Sequence, residues 1–340
     1  MKLKKCSENP IFSPNPTNDW ESRCVLNPAV VYDDERNKFV MLYRAAGDDE
    51  AHIIQLGLAE SDDGIHFTRV SDEPAMKADP LHPDGGSLED PRMVKLDGRY
   101  FITYAAEATP PGRYWIVDEM KRFRKEKWPK DLHTLPALIR DFTSVSYLAY
   151  TDDFKTFKRL GRITDSRYDD RDVVIFPERI NGQYVRISRP KRDGKTPSIW
   201  ITYSDDLMEW GMPTKFIEPK EYWEQARMGA SCPPIRTKDG WLLVYHGVDA
   251  VDEIYRVGFA LLDLEHPEKV LARTKNFVME PDCDFETQGI YNGCVFPTGI
   301  VEKDGLFYIY YGCADTYIGL ATIPVDEVLA EMKKEENLIK

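Results

Sequence analysis

Apolar and aromatic runs of four to six residues recur along the chain, each opened by a polar turn. Five stand out: Phe39–Arg44, Tyr100–Tyr104, Tyr184–Ser188, Trp241–Tyr245 and Phe307–Tyr311. Their turns are Asp34–Asn37, Asp97-Gly98, Asn181-Gly182, Asp239-Gly240 and Asp304-Gly305. Asp-Gly and Asn-Gly pairs between such runs mark two-residue hairpins, because both central positions can adopt positive φ. A further β-type run precedes each turn: Ala29–Tyr32, Arg92–Lys95, Val173–Phe176, Pro233–Arg236 and Cys294–Phe296. Third strands follow at Gln55–Ala59, Ser146–Tyr150, Ser198–Thr202 and Arg256–Ala260, and three of these run into an acidic turn, at Asp62-Asp63, Asp152-Asp153 and Asp205-Asp206.

Five copies of a four-strand unit predict an all-β, five-bladed β-propeller, which hides its sheet edges by closing into a ring. An open sandwich with similar hairpins is the alternative; the recurring acidic turns favour the propeller. The whole chain, 1–340, reads as one domain with blades near 27–70, 89–162, 172–211, 228–271 and 292–324. An insertion at 113–140 carries a charged amphipathic helix, Glu119–Trp128, and a C-terminal helix occupies 325–340, with acids first and bases last along Val325–Lys334.

Composition narrows the function. The 340 residues hold 45 Lys+Arg against 58 Asp+Glu, a formal charge of −13 that disfavours a nucleic-acid partner. Hydrophobic residues at 42% exclude a disordered chain. Nothing approaches the roughly 20 apolar residues of a membrane span, and no apolar run follows the basic N-terminus as a secretory signal would require. Six cysteines, without a CxxC pair, read as reduced thiols of a cytoplasmic protein with neither a metal site nor a disulfide framework.

A propeller concentrates chemistry where its inner strands meet. The polar residues at repeat-equivalent inner positions are Asn27 and Arg44, Glu89-Asp90-Pro91-Arg92, Arg171-Asp172 with Arg189, Arg227 with His246, and Asn292 with Asp315. Arg171, Arg189, Arg227 and His246 converge on one expected face of an acidic protein, a composition suited to phosphate or carboxylate. Asp90 is open to two readings, a catalytic carboxyl or an Asx-type cap beside Pro91. His246 is either a packed core residue or, next to Gly247, a ligand contact. Tyr222, Trp223, Tyr291 and Tyr317 on connecting loops suit sugar stacking or the core. One carboxylic acid plus a basic pocket is enough for phosphate to attack a sugar while the acid protonates the leaving oxygen, whereas hydrolysis needs a second carboxylate to activate water.

In their order along the chain, Glu89-Asp90-Pro91-Arg92, Phe176–Gly182, Arg189-Pro190, Met228-Gly229-Ala230, Gly240–Gly247 and Tyr310–Thr316 resemble the mannoside phosphorylases of glycoside hydrolase family 130, as do Asn9-Pro10-Ile11 and Tyr43-Arg44. The resemblance implies a five-bladed propeller and inverting phosphorolysis of β-1,4-mannosides to α-mannose 1-phosphate, with inorganic phosphate as co-substrate and no cofactor. It implies Asp90 as general acid acting through the mannose 3-hydroxyl, Arg171, Arg189 and His246 on phosphate, and Asn27, Arg44, Arg92, Arg227 and Asp315 on the sugar. It further implies a β-mannoside oligosaccharide as partner and a homo-oligomer, with a hexamer as one form. Asp172, where the family often has Asn, would repel phosphate unless an arginine pairs with it, and Arg227 stands where Lys is common. The alternatives are a phosphorylase of β-1,4-mannosyl-N-acetylglucosamine or mannosylglucose, a β-mannosidase using Glu178, Glu224 or Asp172 to activate water, and a sugar-binding propeller without catalysis.

Overall fold

A computed structural model describes residues 1–79, 81–116 and 143–339. Three of the predicted hairpin turns, Asp97-Gly98, Asn181-Gly182 and Asp304-Gly305, have positive φ at both residues, whereas at Asp239-Gly240 only Gly240 does. They join the strands into five antiparallel sheets. The chain opens with β1 (Lys4–Lys5), then builds blade one from β2 (Cys24–Asp33), β3 (Lys38–Ala46), β4 (Gln55–Ser61) and β5 (Thr68–Arg69). Blade two is β6 (Ser87–Leu96), β7 (Arg99–Glu107), β8 (Val145–Thr151) and β9 (Lys158–Arg162); blade three is β10 (Asp170–Ile175), β11 (Tyr184–Pro190), β12 (Ile199–Ser204) and β13 (Thr214–Ile217). Blade four has a divided inner strand, β14 (Arg227–Ala230) and β15 (Ile235–Thr237), both paired with β16 (Gly240–Val248), followed by β17 (Tyr255–Leu262) and β18 (Val270–Arg273). Blade five is β19 (Val295–Lys303), β20 (Leu306–Cys313) and β21 (Tyr317–Pro324).

Its fourth strand comes from the other end of the chain. β1 pairs antiparallel with β21, Lys4 opposite Thr322 and Lys5 opposite Ala321, so the ring is closed by joining the N-terminus to the last blade. Lys5 fixes this closure by reaching Asp282 Oδ1 at 2.5 Å and the buried Glu286 Oε2 at 2.6 Å.

The core is distributed around the ring. The period-two alternation of each strand sends neighbouring side chains to opposite sheet faces. In β3, Phe39, Met41 and Tyr43 pack with Tyr310, Ile318 and Leu320 of blade five, while Val40 and Leu42 pack with Met93 and Ile102 of blade two. Equivalent clusters lie between blades two and three, three and four, and four and five. Two helices follow: α1 (Asp284–Thr287), which carries Glu286, and α2 (Val325–Met332). α2 buries Val328 and Met332 in the cluster between blades four and five, and the chain then returns to blade four, where Leu338 bridges to Ala272. The helix expected at Glu119–Trp128, and most of the 113–140 insertion, lie outside the described residues. Among the described residues no helix is long and apolar enough to cross a membrane.

Candidate active site

Three inner strands carry the same irregularity. The β2–β3 register shifts between Leu26 and Ala29, the β6–β7 register between Glu89 and Arg92, and the β10–β11 register between Arg171 and Val174. Each bulge holds a short polar residue in the left-handed region: Asn27 at φ 46°, Asp90 at φ 49° and Asp172 at φ 55°. Asn and Asp tolerate this backbone better than other non-glycine residues, and a bulge re-aims a side chain out of the ladder. All three side chains line one cavity of about 300 Å³, within the usual range of small-molecule sites. Gly312 leaves room for the first of them, since a Cβ there would fall 1.9 Å from Asn27 Oδ1; Gly229 does the same for Asp172, whose Oδ2 would be 2.2 Å away.

Asp90 lines the cavity beside Asn27 and Arg44. Its Oδ1 accepts from Asn27 Nδ2 at 2.7 Å and from Arg44 Nη1 at 2.8 Å. Burial would raise this carboxyl, but Arg44, Arg92 and the Asn27 hydrogen bond outweigh it and hold it below the usual carboxylate range. Arg44 also lies 3.3 Å from Glu89. Asp315 sits nearby under the Tyr114 hydroxyl, 3.5 Å away. Burial, opposed by Arg44 and helped by Asp90 and Glu89, pushes Asp315 up to about 6.

Further basic groups line the same cavity. Arg171 is ringed by carboxylates, with Asp169 at 3.4 Å, Glu107 at 3.5 Å and Glu89 at 3.7 Å. Burial and repulsion from Glu89 lift Glu107 to about 7, so at neutral pH this carboxyl is partly protonated and able to donate. Asp172 Oδ2 accepts from Arg189 Nε at 2.5 Å, and its Oδ1 lies 3.4 Å from Arg92. Burial raises Asp172, but Arg189, His246 and Arg92 prevail and bring it to about 2. His246 Nδ1 meets Ser231 Oγ at 3.1 Å, while its Nε2 is 3.7 Å from Asp172. Desolvation, only partly offset by Asp172, lowers His246 to about 3, so the ring is neutral at pH 7 and can serve as a hydrogen-bond donor.

Seven of the nine sequence-derived positions therefore share one cavity: Asn27, Arg44, Asp90, Arg171, Arg189, His246 and Asp315. Arg92 and Arg227 stand behind its wall. Arg92 is buried, donates to the Asp90 and Ser231 carbonyls at 2.7 and 3.1 Å, and faces the Phe296 ring. Arg227 is held by the hydroxyls of Tyr255 and Tyr291, which do line the cavity.

Other expectations are corrected. Of the four loop aromatics only Tyr291 lines the cavity. Trp223 is fully buried and stacked on Tyr245, Tyr317 packs against the core between blades four and five, and Tyr222 faces solvent. Glu178 pairs with Arg236 on the surface, and Glu224 is buried against Arg273 and Tyr245, so neither can activate water in the cavity. Glu107, Tyr114, Tyr255 and Phe296 line the cavity without having been singled out. Glu107 had a readable signal, since it ends a second strand as Arg44 and Arg189 nearly do.

Comparison with known proteins agrees with this geometry. The family model for glycoside hydrolase family 130, described as beta-1,4-mannooligosaccharide phosphorylase, matches residues 2–127 and 140–334. The chain belongs to glycoside hydrolase family 130. The stretch between the two matched segments falls inside the insertion, which is thus where the chain departs from its family. A 1,2-beta-oligomannan phosphorylase of a Thermoanaerobacter species is 36% identical over 96% of this chain and 99% of its own. A beta-1,4-mannooligosaccharide phosphorylase of Ruminococcus albus is 30% identical over 93% and 87%. Among solved structures, the beta-1,2-mannobiose phosphorylase of Listeria innocua in complex with beta-1,2-mannobiose superposes with a TM-score of 0.78, covering 98% and 99% of the two chains at 24% identity; it shares the family 130 propeller.

Proposed function

We propose that this protein cleaves β-mannosides by phosphorolysis, releasing α-mannose 1-phosphate and a shortened acceptor. The observation that carries the proposal is the shared cavity, which Asp90, clamped by Arg44 and Asn27, lines together with Arg171, Arg189 and His246. A phosphate oxygen attacks the anomeric carbon from the face opposite the aglycone. The C1–O bond breaks, and the departing oxygen takes a proton that Asp90 supplies, relayed through the mannose 3-hydroxyl. Phosphate is already an anionic nucleophile, so the protein needs to position it and spread its charge rather than deprotonate water. Arg189 can do so because Asp172 engages its Nε and leaves the outer guanidinium nitrogens facing the cavity. The arginine partners of Asp172 offset part of its charge, which reduces its repulsion of the anion.

Arg44 and Arg92 keep Asp90 ionised, so its proton must arrive with the substrates. Phosphate brings negative charge into the cavity, and sugar hydroxyls draw Arg44 away from the carboxylate; both changes raise its affinity for a proton. Arg44 and Asp315 are assigned to the mannose ring, with Asn27 holding Asp90.

The linkage we propose first is β-1,2, because a relative carrying that name is 36% identical. The β-1,4 linkage expected from the sequence is the second reading, supported by the family description and by the 30% identical relative. The proposal includes action in the cytoplasm, in keeping with six unbridged cysteines, as a homo-oligomer without a cofactor. Incubating β-1,2- and β-1,4-mannobiose with and without phosphate tests it. Mannose 1-phosphate of α configuration should form from one disaccharide only when phosphate is present, and equal cleavage without phosphate would overturn the reading.

A further inference from the structure

A second cavity, of about 270 Å³, lies in the groove between blades two and three. Arg162 from the end of β9, Arg186 from the middle of β11 and Arg192 just beyond it all line the groove. None of the three forms an ion pair with a described carboxylate, although the chain carries a charge of −13. Asp165, the nearest acid on the rim, is taken by Arg167 at 2.5 Å, and Glu209 is exposed.

The base of the groove is desolvated and incomplete. Arg186 is only 4% exposed; it lies over the Trp210 ring with its guanidinium carbon 4.6 Å from the centroid, and its Nε has no hydrogen-bond partner. Asp170, also 4% exposed, has an unpartnered Oδ1. Buried polar atoms are rarely left unpaired, because each costs roughly 1–3 kcal/mol. Burial lowers Arg186 to about 10 with Asp170 only partly offsetting it, and burial lifts Asp170 to about 6. Arg186 Nη1 donates to the Ile163 carbonyl and Asp170 Oδ2 accepts from Ser188 Oγ, so each group is satisfied only in part, with Arg186 Nε and Asp170 Oδ1 left over.

We propose that this groove is a second anion site, which takes a phosphate group through the guanidinium forks of Arg162, Arg186 and Arg192. Guanidinium groups match phosphate oxygens in pairs. The groove shares its two strands with the catalytic cavity: Asp170 precedes Arg171 in β10, and Pro190, a groove residue, follows Arg189 in β11. Inorganic phosphate and a phosphate monoester such as a hexose 1-phosphate present the same chemistry, and both are at hand in the proposed reaction.

Equilibrium dialysis of the full-length protein against labelled inorganic phosphate, and separately against labelled mannose 1-phosphate, tests the assignment. The unaltered protein should retain two equivalents per chain with at least one of the two labels. The double variant Arg162→Ala/Arg192→Ala changes side chains at the groove mouth that are not buried, and it should retain one equivalent while phosphorolysis at saturating substrates stays within about twofold. A second equivalent seen with both labels identifies the bare phosphate group as the ligand; one seen only with mannose 1-phosphate identifies the ester. A single equivalent with either label, or two that survive the double substitution, would overturn the groove site. Arg189→Ala separates this proposal from the catalytic one, since it should empty the funnel and leave the groove filled.

Discussion

Asn27 and Asp90 belong to different blades, yet the Asn27 amide donates to Asp90 Oδ1 at 2.7 Å, and both residues stand at positive φ on equivalent strand bulges. The same backbone irregularity, used twice, thus brings a carboxylate and its orienting amide together at the centre of the ring. Arg44, which pairs with Leu26 directly before the first bulge, completes the clamp at 2.8 Å. The function of Asp90 can be separated experimentally from its support.

Asp90→Asn keeps the hydrogen-bonding shape and removes the proton source. Turnover of mannobiose should fall by about 2–4 orders of magnitude, while a β-mannoside with a good leaving group should lose much less. Steady-state rates on the two substrates check this; an equal loss on both would assign Asp90 to binding rather than proton transfer.

Gly312→Ala places a methyl group where the Asn27 amide now sits, at 1.9 Å from Oδ1. Asn27 must then swing away from Asp90. We expect kcat to fall at least tenfold with a modest loss of stability of about 1–3 kcal/mol, as for overpacking elsewhere. An unchanged kcat in a protein with an unchanged melting temperature would show that the amide is dispensable.

Asp172→Asn removes a buried negative charge from among Arg189, Arg92 and His246. With less repulsion, the apparent KM for phosphate should drop about three- to tenfold. Arg92 would lose its carboxylate partner, at a cost of about 3 kcal/mol in folding free energy. Phosphate titrations and urea unfolding measure the two effects, and a raised phosphate KM would reverse the assigned role of this residue.

His246 links stability to pH. Its folded-state pKa, about 3, lies below the ordinary value of 6.5, so between these limits the unfolded chain binds a proton that the folded one refuses. Stability should therefore fall as pH drops from about 6.5, by up to about 1.4 kcal/mol per pH unit. Asp172, lowered to about 2, adds a second loss below about pH 4, whereas Glu107 and Asp315, both raised, act in the opposite sense. His246→Asn should flatten the decline between pH 6.5 and 4.5 relative to the parent protein. Urea midpoints for both proteins at several pH values provide the comparison, and parallel curves would count against the buried, neutral ring.

Much of this architecture was legible from local chemistry. Asp97-Gly98, Asn181-Gly182 and Asp304-Gly305 specify their hairpins through backbone preference alone, and alternation within Phe39–Tyr43 divides the strand between two neighbouring blades. The convergence of Asp90, Arg171, Arg189 and His246 followed from the equivalence of repeat positions. What escaped was set by long-range packing. Lys4–Lys5 has no β-forming character, and only the open edge of β21 makes it a strand. The bulges at Asn27, Asp90 and Asp172 leave a faint trace, a Pro directly after the first two, because their cause is the need to aim a side chain inward. Trp223 and Glu224 looked available for chemistry on a connecting segment, and were claimed instead by the Tyr245 side of blade four.

Ring closure by β1 has a further consequence for how the protein comes into being. β1 waits for the last blade, since Lys4 and Lys5 have no strand partners until Ala321 and Thr322 have been synthesised. Blades one to four can pair internally during translation, but the circle cannot lock until β21 is available. Emergence of β21, rather than any earlier stage of elongation, is therefore when the central cavity can acquire its final shape.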